Sequence, residues 1–252
     1  MNLGIEGRFA LVTGSSKNIG LAIARELANQ GARVILTGRN MSELQLAMST
    51  LAGKKESHLC VEIDFLLPGA LEHLKNKISG TFSEPEIIVH NLGGSLGVKD
   101  LFASSEDWSK VWQFNVGIAH DINRYFVPIM QSKKWGRVLH LSTLSTETYA
   151  GNPAYVSAKC ALDGYVKIFS RAVAKDNVLV NALAPGLIDI EGRYFSNLQK
   201  SDPDSIKSYY ANHLPIARMG TCSEIGKMAT ILCSDVVGYV SGSIIRVDGG
   251  GY

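Results

Sequence analysis

The chain has 252 residues, 46% hydrophobic and 19% charged, with a formal net charge of +2. This composition describes a soluble globular chain with a sizeable core, long enough for one large α/β domain or two small ones. So small a net charge gives no reason to expect nucleic acid or an anionic membrane as partner. No apolar run of about 18 residues suggests a membrane span, and the start, 1–8, lacks the apolar stretch of a signal peptide. Cys60, Cys160, Cys222 and Cys233 lack metal-ligand spacing. In a chain read as cytoplasmic they are expected to be buried free thiols. No repeat, low-complexity tract or linker divides the chain, so a single domain over 1–252 is expected.

Residues 8–12 predict a buried strand that runs into Thr13-Gly14-Ser15-Ser16-Lys17-Asn18-Ile19-Gly20. A helix follows, with Leu21, Ala24, Leu27 and Ala28 on one side and a stop at Gly31. Strand, glycine turn and helix form a dinucleotide-binding unit, in which backbone N–H groups and the helix N-terminus receive a diphosphate. An ordinary βα turn with two glycines would look the same on this stretch alone. The next strand, 33–37, ends at Gly38-Arg39-Asn40. A cofactor without a 2′-phosphate is usually held here by an acidic side chain on the ribose. None is present, and Lys17 and Arg39 could instead converge on a phosphate. The pair favours NADP(H) over NAD(H).

Asn40 and Glu43 predict a capping box at the head of a helix over 40–51. A third strand, 59–63, ends in Asp64, and a helix over 68–78 follows. The strand 86–90 leads into Asn91-Leu92-Gly93-Gly94, where glycines let backbone approach a nucleotide. His90 reads as a hydrogen-bonded strand-end residue. A helical pattern over 105–130 is interrupted at Asn115-Val116-Gly117; asparagine and glycine both weaken a helix, so either it kinks there or Asn115 has a task.

The strand Gly136–Leu141 delivers Ser142 at its end. Thirteen residues later comes Tyr155, and four after that Lys159. With Pro153 opening a helix that runs to about residue 175, this spacing puts tyrosine and lysine on one face, one turn apart. A lysine cation there lowers the phenol pKa, so that it can exchange a proton with a carbonyl or hydroxyl. The strand 178–183 leads to Pro185-Gly186, then to a long polar and aromatic insertion, 187–218. A capping box at Thr221-Cys222-Ser223-Glu224 starts another helix, and the strand 243–247 is closed by the run from Asp248 to Tyr252. Strands alternating with helices imply a parallel sheet with the site at the carboxyl ends of its strands.

In order and spacing, Thr13-Gly14-x3-Asn18-x-Gly20, Asp64, Asn91-x-Gly93-Gly94, Asn115, Ser142, Tyr155-x3-Lys159, Asn181 and Pro185-Gly186 resemble the short-chain dehydrogenase/reductase family across essentially the whole chain. The general likeness is to 3-oxoacyl-thioester reductases. The resemblance implies a doubly wound, seven-stranded Rossmann sheet in an α/β/α sandwich. It also implies a homotetramer or homodimer built through two long helices, and a small carbonyl or alcohol substrate. Its catalytic tetrad falls on Asn115, Ser142, Tyr155 and Lys159. Its cofactor contacts fall on Gly14, Ser16, Lys17, Asn18, Ile19, Gly20, Arg39, Asp64, Asn91, Gly93, Tyr155, Lys159, Pro185, Gly186 and Ile188. The chain departs from the family at Asn18, where glycine is usual and asparagine tolerates positive φ, and in the offset Asn91-Leu92-Gly93-Gly94 run. It departs again at Ile190, which takes the place of a phosphate-binding threonine.

The implied reaction is hydride transfer from NADPH to a ketone, with Tyr155 as proton donor, Ser142 bonded to the carbonyl oxygen, Lys159 tuning the tyrosine and Asn115 anchoring a water. A non-catalytic NADP-binding regulator on the same fold would have no need of the tetrad. A lyase or dehalogenase on it would be expected to lose the glycine loop or the lysine. Enoyl reductases of the family typically space the tyrosine and lysine further apart. The insertion 187–218 is expected to act as a substrate lid; a helical segment with a solvated outer face is the alternative.

Overall fold

The computed structural model describes residues 2–80 and 82–251; Met1 and Tyr252, the ends of the expected domain, lie outside the described residues. Seven strands form one parallel sheet: β1 (Phe9–Val12), β2 (Arg33–Gly38), β3 (Leu59–Glu62), β4 (Ile87–His90), β5 (Gly136–Leu141), β6 (Val178–Pro185) and β7 (Ile244–Val247). Their order is β3-β2-β1-β4-β5-β6-β7. The strand order therefore reverses between β1 and β4, and a crevice opens there beyond the carboxyl ends.

Alternation along the strands sends successive side chains to opposite faces. Ala10, Val12, Val34, Leu36, Ile87 and Val89 pack on one side against α1 (Asn18–Asn29), α2 (Met41–Met48) and α10 (Cys222–Leu232). Leu11, Ile35, Ile88, Val138 and Val180 pack on the other against α3 (Ala70–Ser79), α5 (Ile118–Ser132) and α7 (Pro153–Val173). Each fully buried Leu, Ile or Phe contributes about 1.5–3 kcal/mol, and Phe126, Ile23, Leu27 and Leu74 are among the largest such side chains. Covering both faces is what makes the strands read as near-continuous apolar runs.

Four expectations change in detail. The long helical pattern is α4 (Ser105–Trp112), a π-helical turn over Gln113–Gly117, and then α5. Asn40 does cap α2, its side chain accepting from Glu43 N, but the Glu43 carboxylate turns away to Ser16 and Lys17, so no reciprocal box forms. Thr221 and Glu224 do form a full box at α10. All four cysteines are free thiols, yet only Cys233 is buried and the other three are half-covered. The insertion contains α8 (Tyr194–Ser201) and α9 (Pro203–His213), pinned at its base by the Ile188–Gly220 bridge.

Asn181, buried on β6, donates to Val240 O (2.8 Å) and accepts from Ser243 N (3.0 Å), tying the approach of β7 to the sheet. Asn181→Ala strands both backbone groups, at roughly 1–3 kcal/mol for each that water does not reach. Urea denaturation should show a loss of about 2–4 kcal/mol; an unchanged midpoint would mean that the edge strand is held without this amide.

Candidate active site

The glycine loop is braced from the neighbouring strand. Thr13 Oγ1 accepts from Asn91 N (2.9 Å) and Leu92 N (3.1 Å), while the Asn91 amide donates to Thr13 O (3.1 Å) and Gly14 O (2.9 Å). Asn18 has φ +53°, the left-handed conformation that its replacement of glycine demanded. A Cβ on Gly20 would lie 2.3 Å from Gly14 O and 2.6 Å from the Asn91 amide. The first turn of α1 can therefore sit on the loop only if residue 20 has no side chain, which leaves Gly20 a packing residue outside the cleft lining. Asn18 also lies outside that lining, on the outer groove of α1 with Arg25 and Cys222.

Ser142 follows β5 directly, and α7, opened by Pro153, presents Tyr155 and Lys159 to the same wall. The Ser142 hydroxyl is buried beside the Asp163 carboxyl and makes no hydrogen bond of good geometry to it or to any other described residue. Lys159 is 3% exposed; its Nζ donates to Leu141 O (2.6 Å) and lies 5.9 Å from the Tyr155 ring centre. The π turn aims Asn115 inward, so the interruption in the helical pattern has a task. Its Oδ1 accepts from Gly94 N (3.0 Å), and its Nδ2 donates to Gly94 O (2.9 Å) and Val111 O (2.8 Å). A Cβ at Gly93 would fall 2.7 Å from Lys159 Nζ and 2.8 Å from Asn115 Oδ1. Gly93 is thus the space that the lysine occupies.

The electrostatics differ from the sequence expectation. Burial raises the Tyr155 pKa above the phenol's usual value, the Thr143 hydroxyl drawing it down and Asp163 pushing it further up. Burial lowers Lys159 to about 8, with Asp163 raising it. The lysine does not lower the tyrosine here, because the ammonium is turned to a carbonyl rather than to the phenol oxygen. At neutral pH the pair is phenol and ammonium. Behind them His90 stacks on His140 (4.5 Å between ring centres), and burial holds His90 at about 4 and His140 well below its usual range. Both are neutral. His90 bonds to Asn123 Oδ1 (2.8 Å), as a strand-end residue should. Asp163, four residues beyond Lys159, was not foreseen. Its carboxyl is pushed up by burial and drawn down by the Ser142 and Thr146 hydroxyls, and one of its oxygens has no partner. The spacing Tyr155, Lys159, Asp163 was the available signal.

Two cavities lie along the crevice. One, of about 330 Å³, is lined by Ile19, Asn91, Gly93, Ser142, Tyr155, Lys159, Pro185, Gly186, Ile188 and Ile190. The other, of about 540 Å³, is lined by Gly14, Ser16, Lys17, Arg39, Glu43, Asp64 and Gly93. Arg39 has no ion-pair partner among the described residues, whereas Lys17 Nζ stands 3.9 Å from the Glu43 carboxylate. The sequence spacing marks Glu43 only as a helix cap. The crevice fits a dinucleotide: two joined chambers, one with a free guanidinium at its end and the other with an unpartnered serine hydroxyl.

A group whose folded pKa lies below its unfolded value binds fewer protons when folded, so stability rises with pH between the two. Relative to Lys159→Met, the native protein should gain about 3 kcal/mol as pH rises from about 8 to the unfolded lysine value of 10.5. Urea denaturation at pH 7 and 10.5 measures this; an equal difference at both would mean that the ammonium is solvated.

A family model described as enoyl-(acyl carrier protein) reductase matches residues 14–251. The 3-oxoacyl-[acyl-carrier-protein] reductase of Aquifex aeolicus is 30% identical over 257 residues, covering 99% of each chain. The L-sorbose reductase of Gluconobacter frateurii, solved with NADPH and L-sorbose, superposes with a TM-score of 0.89 at 29% identity, covering 100% of this chain and 98% of that one. A 3-oxoacyl (acyl-carrier-protein) reductase from Agrobacterium tumefaciens, solved with NADP, gives 0.87 at 28% identity over 100% and 96%. With its parallel sheet, braced glycine loop and tyrosine–lysine helix, this chain belongs to the short-chain dehydrogenase/reductase family.

Proposed function

We propose that the protein is an NADP(H)-dependent oxidoreductase interconverting a ketone and a secondary alcohol, with Tyr155 as the general acid/base. The observation that carries this is the meeting of Ser142, Tyr155 and Lys159 on one cavity wall, beside a second chamber with Arg39 free at its end. The sugar reductase and the acyl-carrier-protein reductase of similar structure are both solved with this cofactor, which supports the reading. When bound, NADPH supplies the hydride. Gly14, Ser16, Lys17 and Arg39 would hold the adenosine half, and Asp64 its base. Asn91, Pro185, Gly186 and Ile188 would frame the nicotinamide end.

Tyr155 is neutral at neutral pH and so gives its proton to the carbonyl oxygen. Ser142 Oγ, beside the Asp163 carboxyl but without a well-formed bond to it, donates a hydrogen bond to that oxygen. Lys159 contributes the positive charge that stabilises the phenolate left behind. Asn115 bonds to Gly94 and Val111 and so holds the Gly93–Gly94 backbone against the lysine; its Oδ1 accepts only one of these bonds, which leaves an acceptor position for the water of the proposed relay. The four-residue spacing on α7 supports carbonyl reduction over the double-bond reduction that the family model's description suggests.

The same reading proposes assembly, as homotetramer or homodimer, through the two long helical stretches, α4 with α5 and α7, where Trp112 and Ile168 are exposed. The cytoplasm is the proposed location; among the described residues no helix is long and apolar enough to cross a membrane. The insertion 187–218 is the proposed lid, its aromatics Phe195 and Tyr209 in tilted contact between α8 and α9 (4.7 Å between ring centres).

Two measurements test the assignment. Against a panel of 3-oxoacyl thioesters and ketoses, Tyr155→Phe should lower the turnover number by about three orders of magnitude with cofactor affinity unchanged; activity within tenfold of wild type would reject Tyr155 as the acid, and no turnover of any ketone by wild type would favour the regulator. For the cofactor, NADPH should bind more tightly than NADH, Lys17→Ala with Arg39→Ala should erase the difference, and Glu43→Gln should widen it by freeing Lys17. Equal affinities for the two cofactors in wild type would overturn the choice.

A further inference from the structure

The two chambers of the crevice share only two lining residues, Gly93 and Arg193. They also divide the N-terminal end of α1 between them: Gly14, Ser16 and Lys17 face the larger chamber and Ile19 the smaller. A dinucleotide with its adenosine in one and its nicotinamide in the other must thread its diphosphate through the junction. Gly93, on the sheet side, offers only backbone there. Arg193, arriving from the insertion, offers a guanidinium. Arg193 is exposed, and among the described residues its guanidinium has neither an ion-pair nor a hydrogen-bond partner. Its acidic neighbour Glu191 is engaged by Lys200 (3.6 Å). Ile190 brings no hydroxyl to the junction, and its N–H is already given to the buried Ser196 Oγ (3.0 Å).

We propose that Arg193 is a diphosphate clamp: it closes over the bridging phosphates of the dinucleotide from the insertion side and supplies the contact that Ile190 cannot. The inference rests on the dinucleotide reading above. A guanidinium fork matches paired phosphate oxygens and makes charge-assisted hydrogen bonds that lysine does not reproduce. Arg193 immediately precedes the first residue of α8, so the same contact draws α8 and the remainder of the insertion toward the crevice. Cofactor binding and closure of 187–218 then become one event.

Calorimetric titration of NADPH, NADH and adenosine 2′,5′-bisphosphate, which lacks the bridging diphosphate, separates the possibilities. With Arg193→Ala, both dinucleotides should weaken by a similar factor, roughly 10- to 100-fold, while the bisphosphate is little changed. Arg193→Lys should restore only part of the loss. In wild type, NADPH should protect the insertion from limited proteolysis, and Arg193→Ala should abolish that protection. Unchanged dinucleotide affinity would overturn the clamp. So would a loss confined to NADPH, which would put Arg193 on the 2′-phosphate, or an equal loss for the bisphosphate. A wild-type protein that binds neither dinucleotide would overturn the cofactor reading and the clamp with it.

Discussion

The site is organised around a lysine ammonium that has been taken out of water without an acid to pair with. Lys159 has one hydrogen-bond acceptor among the described residues, the Leu141 carbonyl, and the charge of Asp163 to favour its ionised form. A buried cation so weakly compensated costs stability, and its depressed pKa is the measure of that cost. The surroundings are built to hold it nonetheless. Gly93 gives up its side chain to make room, and the π turn lets Asn115 pin Gly94. His90 and His140 stay neutral behind it, adding no second positive charge at neutral pH. A charge that costs folding energy is useful where negative charge develops, as it would on Tyr155 under the proposed proton transfer.

The glycine loop and the lysine are mechanically linked. Asn91 and Gly93 are two residues apart in one loop after β4: the first braces Thr13 and Gly14, the second makes room for Lys159. The strand-order reversal brings β1 and β4 side by side, so a single loop serves both ends of the crevice. The glycine loop and the Lys159 pocket are therefore held by the same short stretch of backbone.

The sheet was legible because buried parallel strands read as apolar runs, and β5 falls on its expected residues. The meeting of Ser142, Tyr155 and Lys159 on one wall was legible because these residues are tied to a strand end and to a helical period. The positive φ at Asn18 was legible because few residue types tolerate it. What escaped was decided by where side chains turn in space. Glu43 has the spacing of a capping partner, and its carboxylate goes instead to Ser16 and Lys17. The π turn adds one residue to a helical circuit, which periodicity registers only as an interruption. The direction of the Tyr155 shift depended on whether the lysine met the phenol oxygen or a carbonyl, and spacing alone is silent on that. Asp163 lay in plain sight on the helical face of Tyr155 and Lys159, but its relevance came from burial beside Ser142.

At neutral pH the pair is phenol and ammonium, the form that gives a proton rather than takes one. The most direct test is the pH dependence of kcat/KM for ketone reduction at saturating NADPH. The arrangement predicts a level profile from neutral pH to about 8 and, as Lys159 discharges, a fall of up to about tenfold per unit above it. A rate that rises with pH through that range would contradict it, because the active form would then be the phenolate.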